Sequence, residues 1–280
     1  MKEVDILVSS RDRHTEIALL MQSLRTQTHK KWNLFILDNA SGTPLNQIHF
    51  IGNLINRLRC ENHAVTILRN EVDFGICSAR NRLCEEQIKI GTGEYSMRLD
   101  DDVIPEQDYI EKLVKVIEKG YDLASGVTPQ LGVPFFERET KFVKPVINNI
   151  KINTDGDITY FGDDCGWCYL KEEIIPTAHF RSCALYKSEI NKIKYPDNLS
   201  KYGFREESFL SIKLLMEGYK MAVNTKAIVL HLQTPSGGGK SYPNMNEIIM
   251  RDDLAFKQWV KKKYLEGRLK CLDPLIGLKV

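Results

Sequence analysis

Apolar and polar residues follow two different periods along the first part of the chain. Short apolar runs, typical of strands buried on both faces, are VDILVSS at 4–10, WNLFILDNAS at 32–41, AVTILRN at 64–70 and EYSMRLDDD at 94–102. Longer segments with apolar residues at helical spacing lie between or after them, at 15–28, 46–60, 75–90 and 107–120. In the first of these segments, one apolar face is formed by Ile17, Leu20, Met21 and Leu24.

This alternation predicts an α/β fold, with a mostly parallel sheet flanked by helices on both faces. Ligands of such folds bind beyond the carboxyl ends of the strands, so polar residues with useful chemistry are expected there. The strand ends do carry such residues, which are Ser9, Ser10 and Arg11, then Asp38 and Asn39, then Asp100, Asp101 and Asp102. We therefore predict a binding site at this edge of the sheet.

The regular alternation is lost between residues 127 and 180, where several prolines interrupt short β-like pieces. We interpret this stretch as loops and strands that shape an acceptor pocket. A helical pattern returns at 205–219, a strand follows at 227–233, and the glycine-rich TPSGGGKSYP spans 234–243.

Composition narrows the class of protein. The chain has 280 residues, 42% hydrophobic and 27% charged, which is typical of an ordinary globular protein. Its net charge of +2 gives no reason to expect nucleic-acid binding. No apolar run approaches the roughly 20 residues that span a bilayer, and the N-terminus lacks the pattern of a signal peptide.

Cysteine content and the C-terminal charge bear on location. Seven cysteines, an odd number, suggest reduced thiols, and we expect a cytoplasmic protein. The basic segment WVKKKYLEGRLK at 259–270 is read as the solvated face of a helix. Peripheral contact with anionic lipids of a membrane is the alternative.

Three consecutive carboxylates follow the fourth apolar run. If that strand reaches the carboxylates, Asp100 and Asp102 point to the same side, because side chains two apart in a strand share a face. Mg²⁺ and Mn²⁺ bind through one or two carboxylates together with substrate phosphate oxygens. A solvated acidic turn is the alternative, but the apolar run before it and Pro105 after it favour a divalent metal carrying a nucleotide diphosphate.

Four segments together resemble family 2 glycosyltransferases with the GT-A fold. They occur in the family's order and are ILVSSRDRHTEIALLMQSLRTQTHKKWNLFILDNAS, RNEVDFGICSARNRLCEE, GEYSMRLDDDVIP and GFREESFLSIKLLMEGYKMAVNTKAIVLHL. The resemblance covers roughly residues 3–126 and 202–232. It implies the GT-A fold, a nucleotide-sugar donor and a divalent cation.

The resemblance also implies roles for the residues at the strand ends. Asp38 would contact the nucleotide base, which suits uracil, and Arg80 with Asn81 would lie near the nucleotide. Asp100 would contact the ribose and Asp102 would bind the metal.

At other positions the chain departs from the family or matches it less directly. Ser9 and Ser10 stand where the family often has Pro-Thr, yet backbone contacts to the nucleotide would survive, and Arg11 follows as expected. Asp101, the middle carboxylate, would contribute indirectly to nucleotide binding.

Glu206 and Glu207 match the family's acidic pair, whose second member is usually an aspartate acting as general base. Glu207 holds that position here, and Glu206 is the alternative base. The other interpretation is that both glutamates only complement the dipole at the start of a helix. His231 would complete the metal's ligand set, or serve only a structural role. The glycine-rich segment would be a lid that brings Lys240 to the phosphates, or a plain linker.

A second cluster lies in the irregular stretch. Cys165, Cys168, His179 and Cys183 could hold a structural zinc or form a redox pair, but their spacing fits no common finger, and plain packing is favoured. Carboxylate and indole groups suit hydroxyl-rich sugars, so acceptor-pocket residues are expected among Asp163, Asp164, Trp167 and His179.

The predicted function is transfer of a sugar from a nucleotide-diphosphate donor, a UDP-sugar by expectation, to an acceptor hydroxyl, with inversion and with Mn²⁺ or Mg²⁺ as cofactor. The acceptor could be a glycan, a lipid-linked glycan or a protein. Residues 1–126 would form the nucleotide-sugar-binding half of a GT-A domain, 127–240 the acceptor half with the base, and 241–280 a helical extension.

Two other functions are alternatives. A nucleotidyltransferase would need no carboxylate base and would favour a glycine- and lysine-rich first loop, which is absent between Val8 and Thr15. A non-catalytic sugar- or nucleotide-binding module would not need the acidic residues and the histidine that this chain retains.

Overall fold

The computed structural model describes residues 2–132, 149–161, 173–180, 182–235, 237–238 and 242–271. The strands are β1 Val4–Ser10, β2 Trp32–Asn39, β3 Val65–Asn70, β4 Tyr95–Leu99, β5 Val103–Pro105, β6 Leu123–Val127, β7 Asn149–Ile152, β8 Ile158–Phe161, β9 Ile174–Thr177, β10 Ala184–Lys187 and β11 Met221–His231. The helices are α1 His14–Arg25, α2 His49–Cys60, α3 Ile76–Ile90, α4 Tyr109–Glu118, α5 Glu206–Met216 and α6 Met245–Leu265. Short 3₁₀ turns occupy Leu45–Gln47 and Ser188–Lys192.

One mixed sheet organises the molecule, with strand order β3-β2-β1-β4-β10-β6-β11-β5 and with β9 paired to β11. Strands β3, β2, β1 and β4 are parallel to one another, and β6 is parallel to β11. Strand β10 runs antiparallel between β4 and β6, and β11 is antiparallel to both β5 and β9. The predicted mostly parallel sheet flanked by helices is thus confirmed, and the antiparallel β10 was not foreseen.

Both faces of the sheet are covered, and the alternation along β1 shows how. Ile6 and Val8 pack into the cluster that contains the apolar face of α1, while Leu7 packs into the cluster that contains Leu83 of α3. The predicted face of α1 is fully buried, at Ile17, Leu20, Met21 and Leu24. A strand that buries successive residues on opposite faces reads as a continuous apolar run, which is why periodicity located β1 and β2 well.

Two predicted elements differ from the structure at their starts. The helix expected from residue 46 begins at His49, because the chain first makes the 3₁₀ turn Leu45–Gln47 after Pro44. The strand expected from residue 227 already begins at Met221. Its first half includes the buried polar residues Asn224 and Thr225, which interrupted the apolar pattern.

Helix α6 packs against the rest of the protein through an apolar face. Its Phe256 and Val260 are fully buried in a cluster with Phe209 and Ile212 of α5, and the Phe209 and Phe256 ring centroids lie 5.0 Å apart. The exposed residues of α6 include Lys257, Lys261 and Lys262 as well as Met250, Leu254 and Leu265. The solvated face and the lipid contact both stay predictions. Among the described helices, none is both long and apolar enough to cross a membrane.

Asp252 of α6 holds the loop that leads into α5. Its carboxylate is buried and accepts hydrogen bonds from the backbone N–H of Ser200 at 3.0 Å, the Ser200 hydroxyl at 2.5 Å and the backbone N–H of Phe204 at 3.1 Å. The C-terminal helix therefore fixes a loop that lines the cleft described below.

Asp252→Ala is expected to lower the free energy of unfolding by about 2–4 kcal/mol, since three donors lose their acceptor in a buried place. Urea denaturation measures this difference. The matched control is Asp253→Ala, which removes partly exposed ion pairs with Arg205 and Lys257 and should cost less than about 1 kcal/mol. Equal losses in the two variants would show that the Asp252 bonds do not hold this loop.

Candidate active site

A cleft of about 420 Å³ opens at the carboxyl ends of the central parallel strands. The strand registers put Ser10 beside Asp38 and Val8 beside Leu99, so the residues that follow β1 and β4 meet at one edge. The predicted site residues that line the cleft are Ser9, Ser10, Arg11, Arg80, Asp100, Asp101, Asp102, His179, Glu206, Glu207 and His231. Asp38 is not in this lining, and Asp163, Asp164 and Trp167 lie outside the described residues.

The three consecutive carboxylates lie in a turn between β4 and β5, not at the end of a strand. Strand β4 ends at Leu99, so the expectation that Asp100 and Asp102 share one face of a strand is wrong. Each carboxylate pairs with an arginine instead, and two of the three share the same one. Asp100 accepts a hydrogen bond from Nη2 of Arg80 at 3.0 Å, and Asp101 and Asp102 both pair with Arg13.

Asp101 points into the protein and anchors the turn. Its carboxylate accepts hydrogen bonds from the Ser10 hydroxyl and from Nη1 of Arg13, each at 2.8 Å. Burial raises the pKa of Asp101 to about 6, although the nearby Arg13 opposes the shift. The middle carboxylate thus ties the turn to the end of β1 and to Arg13, and its indirect part in nucleotide binding stays a prediction.

Asp102 is paired with the end of β11. Strand β5 runs antiparallel to β11 with Val103 opposite His231, which brings Nε2 of His231 to 3.3 Å from Oδ2 of Asp102. Nη1 of Arg13 lies 3.0 Å from the same oxygen. Burial alone would raise the pKa of Asp102, but the hydrogen bond with His231 and the charge of Arg13 outweigh it and hold that pKa below its usual value.

The chemistry of this pair fits a small divalent cation. The carboxylate of Asp102 and Nε2 of His231, 3.3 Å apart, could supply two protein ligands. No group of three or more His, Cys, Asp or Glu side chains able to hold a metal occurs among the described residues. Cations such as Mg²⁺ and Mn²⁺ commonly bind in this way, with substrate phosphates and water completing the shell.

The loop after β1 is linked to the segment that follows β11. Nη1 of Arg11 lies 2.6 Å from a carboxylate oxygen of Asp73, which also accepts the Tyr242 hydroxyl at 2.5 Å. The backbone N–H of Gly238 donates to the carbonyl of Arg11 at 3.0 Å. At Gly237, with φ +76°, an added Cβ would lie 2.7 Å from Cγ of Arg13, so glycine allows this close approach.

The sequence did not reveal Asp73 and Tyr242 as parts of this contact. Asp73 stands within the motif RNEVDFGICSARNRLCEE, but nothing in the spacing relates it to a tyrosine 169 residues later. Lys240, expected to reach the phosphates from the same segment, lies outside the described residues.

Asp38 and Asn81 are engaged with the protein itself. The Asp38 carboxylate accepts hydrogen bonds from the backbone N–H groups of Ser41 and Leu45 and from Arg69. Asn81 exchanges two hydrogen bonds with the backbone of Tyr195. Both side chains therefore hold neighbouring loops in place. Their contacts with the nucleotide stay predictions.

The two glutamates at the start of α5 meet an arginine from the middle of β4. Arg98 donates to both carboxylate oxygens of Glu206, at 3.1 and 3.0 Å, and to Oε1 of Glu207 at 2.8 Å. Glu206 also contacts Arg80. Its side chain is 6% exposed, against 25% for Glu207, so Glu207 presents the more accessible carboxylate to the cleft.

Charge keeps Glu207 ionised. Burial would raise the pKa of Glu207, but Arg98, Arg80 and His179 lower it to a net value below the usual range. Arg98 was missed at the sequence level, although a charged residue inside the apolar run YSMRL was a visible signal.

His179, Tyr202 and Phe204 extend the cleft beside Glu207. Nε2 of His179 lies 3.0 Å from the Ser208 hydroxyl, and Tyr202 and Phe204 are half-buried. Cys183, the other described member of the predicted cysteine cluster, is fully buried, and burial raises the pKa of its thiol to about 12. Cys165 and Cys168 lie outside the described residues.

Comparison with known proteins identifies a family and a fold. The profile described as Glycosyl transferase family 2 matches residues 5–174. The solved structure of GalNAc-T7 with UDP, GalNAc and Mn²⁺ aligns with a TM-score of 0.69 at 14% identity, over 94% of this chain and 50% of that one. Mannosyltransferase PcManGT from Pyrobaculum calidifontis, in complex with GDP-Man and Mn²⁺, gives 0.57 at 16% identity, over 98% and 67%.

A third structure, S. aureus TarS, aligns with a TM-score of 0.62 at 13% identity, over 96% of this chain and 40% of that one. The chain thus spans about half the length of GalNAc-T7 and less of TarS. No curated protein matches the sequence significantly. At these identities the likeness to solved structures is one of fold, which is GT-A-like.

Proposed function

Since the chain belongs to glycosyl transferase family 2, we propose that it transfers a sugar from a UDP-sugar to an acceptor hydroxyl in a Mn²⁺-dependent, inverting reaction. One observation carries the proposal. The Asp102–His231 pair and the accessible carboxylate of Glu207 line the same cleft. A donor diphosphate bound at the pair would have a general base within the same enclosed space.

The donor would lie on the side formed by residues 1–126. The ion held by Asp102 and His231 would act, when bound, as a Lewis acid toward the departing diphosphate. Arg80, which contacts Asp100, offers a guanidinium suited to phosphate oxygens. The exposed part of Asp100 can accept a hydrogen bond from a ribose hydroxyl. Uracil is favoured as the base because GalNAc-T7, which aligns with a TM-score of 0.69, was solved with UDP.

The acceptor would lie on the side formed by residues 127–240. Glu207 would accept the proton of the attacking hydroxyl, a role worth about 10²–10⁴-fold in rate. Glu206, whose two oxygens are both held by Arg98, would organise the arginines. A base that acts directly on the acceptor hydroxyl fits a single displacement, and hence inversion at the anomeric carbon.

The acceptor is proposed to be a carbohydrate hydroxyl, free or on a lipid-linked glycan. Tyr202 and Phe204 present half-buried rings beside Glu207, and such rings can pack against the apolar face of a sugar. The extension 241–280 would act indirectly, through the hold of Asp252 on the loop that carries these rings.

The test is release of nucleotide from candidate donors. Purified protein is incubated with UDP-, GDP- and dTDP-sugars, with Mn²⁺ or with EDTA, and the products are separated by anion-exchange chromatography. We expect UDP, formed by slow hydrolysis or by transfer, only with Mn²⁺. Release of pyrophosphate would indicate a nucleotidyltransferase, and binding of a sugar nucleotide with no product would indicate a non-catalytic module.

A further inference from the structure

Arg98 is a charged residue in the interior of the sheet. It lies in β4 between Met97 and Leu99, and only 3% of its side chain is exposed. Burying a guanidinium is unfavourable unless its charge is paired and its N–H groups are hydrogen-bonded. The contacts of Arg98 therefore indicate why a β-strand of the core carries an arginine.

Those contacts converge on the two glutamates of α5. Besides the bonds to Glu206 and Glu207, Nη1 of Arg98 donates to the Tyr195 hydroxyl at 3.1 Å. The guanidinium carbon lies 5.6 Å from the Tyr195 ring centroid and 6.0 Å from that of Phe180. Aromatic walls and two carboxylates thus hold the planar group in one orientation.

Arg98 makes different hydrogen bonds to the two glutamates. Arg98 binds both oxygens of Glu206 but only Oε1 of Glu207. Among the described residues no other side chain donates a hydrogen bond to Oε2 of Glu207, and this glutamate is the more exposed of the two. One oxygen of Glu207 is held by Arg98, and the residue lines the cleft.

We propose that Arg98 is a positioning residue for the transfer reaction, orienting the Glu207 carboxylate and keeping it ionised so that Oε2 accepts the acceptor proton. This inference rests on the proposed function. The titratable and charged groups around Glu207 are Arg98 from β4, Arg80 and Cys77 from α3, His179 after β9, and Glu206 and Tyr202 beside it. Of these, Arg98 alone donates a hydrogen bond to Glu207 among the described residues.

These neighbours determine whether removal of Arg98 raises or lowers the pKa of Glu207. Burial raises the pKa of Glu207, and the charges of Arg98, Arg80 and His179 together with a backbone hydrogen bond outweigh it. Arg98 is the largest of the lowering causes, so removing it should raise the pKa of Glu207. A base with a higher pKa is protonated over a wider acidic range, and the acid limb of the pH–rate profile should move upward with it.

Arg98→Met tests the inference in the full-length protein. With Mn²⁺ and the UDP-sugar found by the donor assay, we expect the acid limb of kcat/KM to move up by at least about one pH unit. The loss of kcat should be largest at the acidic end of the profile and should shrink toward neutral pH, with the donor KM changed less than about two-fold. Arg98→Lys should keep the acid limb near its wild-type position and lower kcat, because it retains the charge and loses the planar fork.

A second measurement does not depend on turnover. Titration of ¹³C-labelled glutamate carboxyls by NMR, with the Glu207 signal assigned by its loss in Glu207→Gln, should show the pKa of Glu207 rising by about one unit in Arg98→Met. Tyr195→Phe is the matched control, since it removes a hydrogen bond from Arg98 and leaves its charge, and it should leave that pKa in place.

Each outcome bears on one proposal. A Glu207 pKa and an acid limb that are unchanged in Arg98→Met would overturn the inference on Arg98. A wild-type protein without product from any donor would overturn the proposed function instead, whatever the titration shows. If Arg98→Met does not fold, Arg98→Met/Glu206→Gln is compared with Glu206→Gln alone, so that the difference in the Glu207 pKa is still the effect of removing Arg98.

Discussion

Replacing Asp102 with asparagine is expected to abolish Mn²⁺-dependent binding of the nucleotide donor and to lower turnover by about 10²–10³-fold or more. The change keeps the size of the side chain but removes the negative charge that His231 and Arg13 face. In the described part of the cleft, Asp102 is the carboxylate paired with an imidazole. Its loss would leave His231 as a weak site for Mn²⁺.

Isothermal titration calorimetry of Mn²⁺ with UDP and the rate of UDP release measure the two effects. Asp108→Asn is the control, because Asp108 is also a paired aspartate, bound to Lys112 at 2.8 Å, but it does not line the cleft. It should bind and turn over like the wild type. If the Asp102→Asn variant still binds UDP in a Mn²⁺-dependent way, the metal site lies elsewhere.

Glu207→Gln should spare donor binding and lower turnover by about 10²–10⁴-fold. A glutamine can still accept the Arg98 hydrogen bond, so the fold of the site is retained, but it cannot take a proton. Because the pKa of Glu207 is held below its usual range, the wild-type enzyme should keep its base ionised throughout the neutral range, and its rate should fall only at distinctly acidic pH.

Glu206→Gln separates the two members of the pair. Glu206 faces two arginines, so its replacement should reduce stability and change turnover by less than about ten-fold. Thermal unfolding and single-turnover rates of both variants make the comparison. Full activity in Glu207→Gln together with a large loss in Glu206→Gln would reverse the assignment of the base.

The sequence pattern predicted the strands and the helix that carry the site, because each such element is determined by residues close together in the chain. The buried face of α1 and the strands β1, β2 and β4 followed from periods of 3.6 and 2 residues, and parallel strands then align their carboxyl ends. The meeting of Ser10, Arg11 and the three aspartates at one edge could therefore be predicted without knowledge of contacts between distant parts of the chain.

Contacts between distant parts of the chain were not predictable in this way. Arg98 meets Glu206 across 108 residues, and Arg11 meets Tyr242 across 231. No periodic pattern carries such pairings. A charged residue within an apolar strand indicates that some partner exists, and the topology decides which residue it is. The insertion of β10 between β4 and β6 depended on the same kind of information.

Asp38 shows a second reason why the role of a residue could not be predicted from the sequence. The family resemblance implied a contact with the nucleotide base, yet Asp38 lies near the end of β2 and its two oxygens accept two backbone N–H groups and a guanidinium. A carboxylate at a strand end can bind a ligand or close a turn, and the residue type alone does not distinguish the two. The neighbouring 3₁₀ turn, which begins at Leu45, uses one of these oxygens.

The most direct test is the position of Mn²⁺ in crystals grown with UDP, located by anomalous scattering at the manganese edge. We expect a peak in direct coordination with the Asp102 carboxylate and Nε2 of His231, bridging to the diphosphate and absent from Asp102→Asn crystals. Bound UDP with no manganese at the turn after β4, or a peak of equal height in the variant, would contradict the proposed metal site.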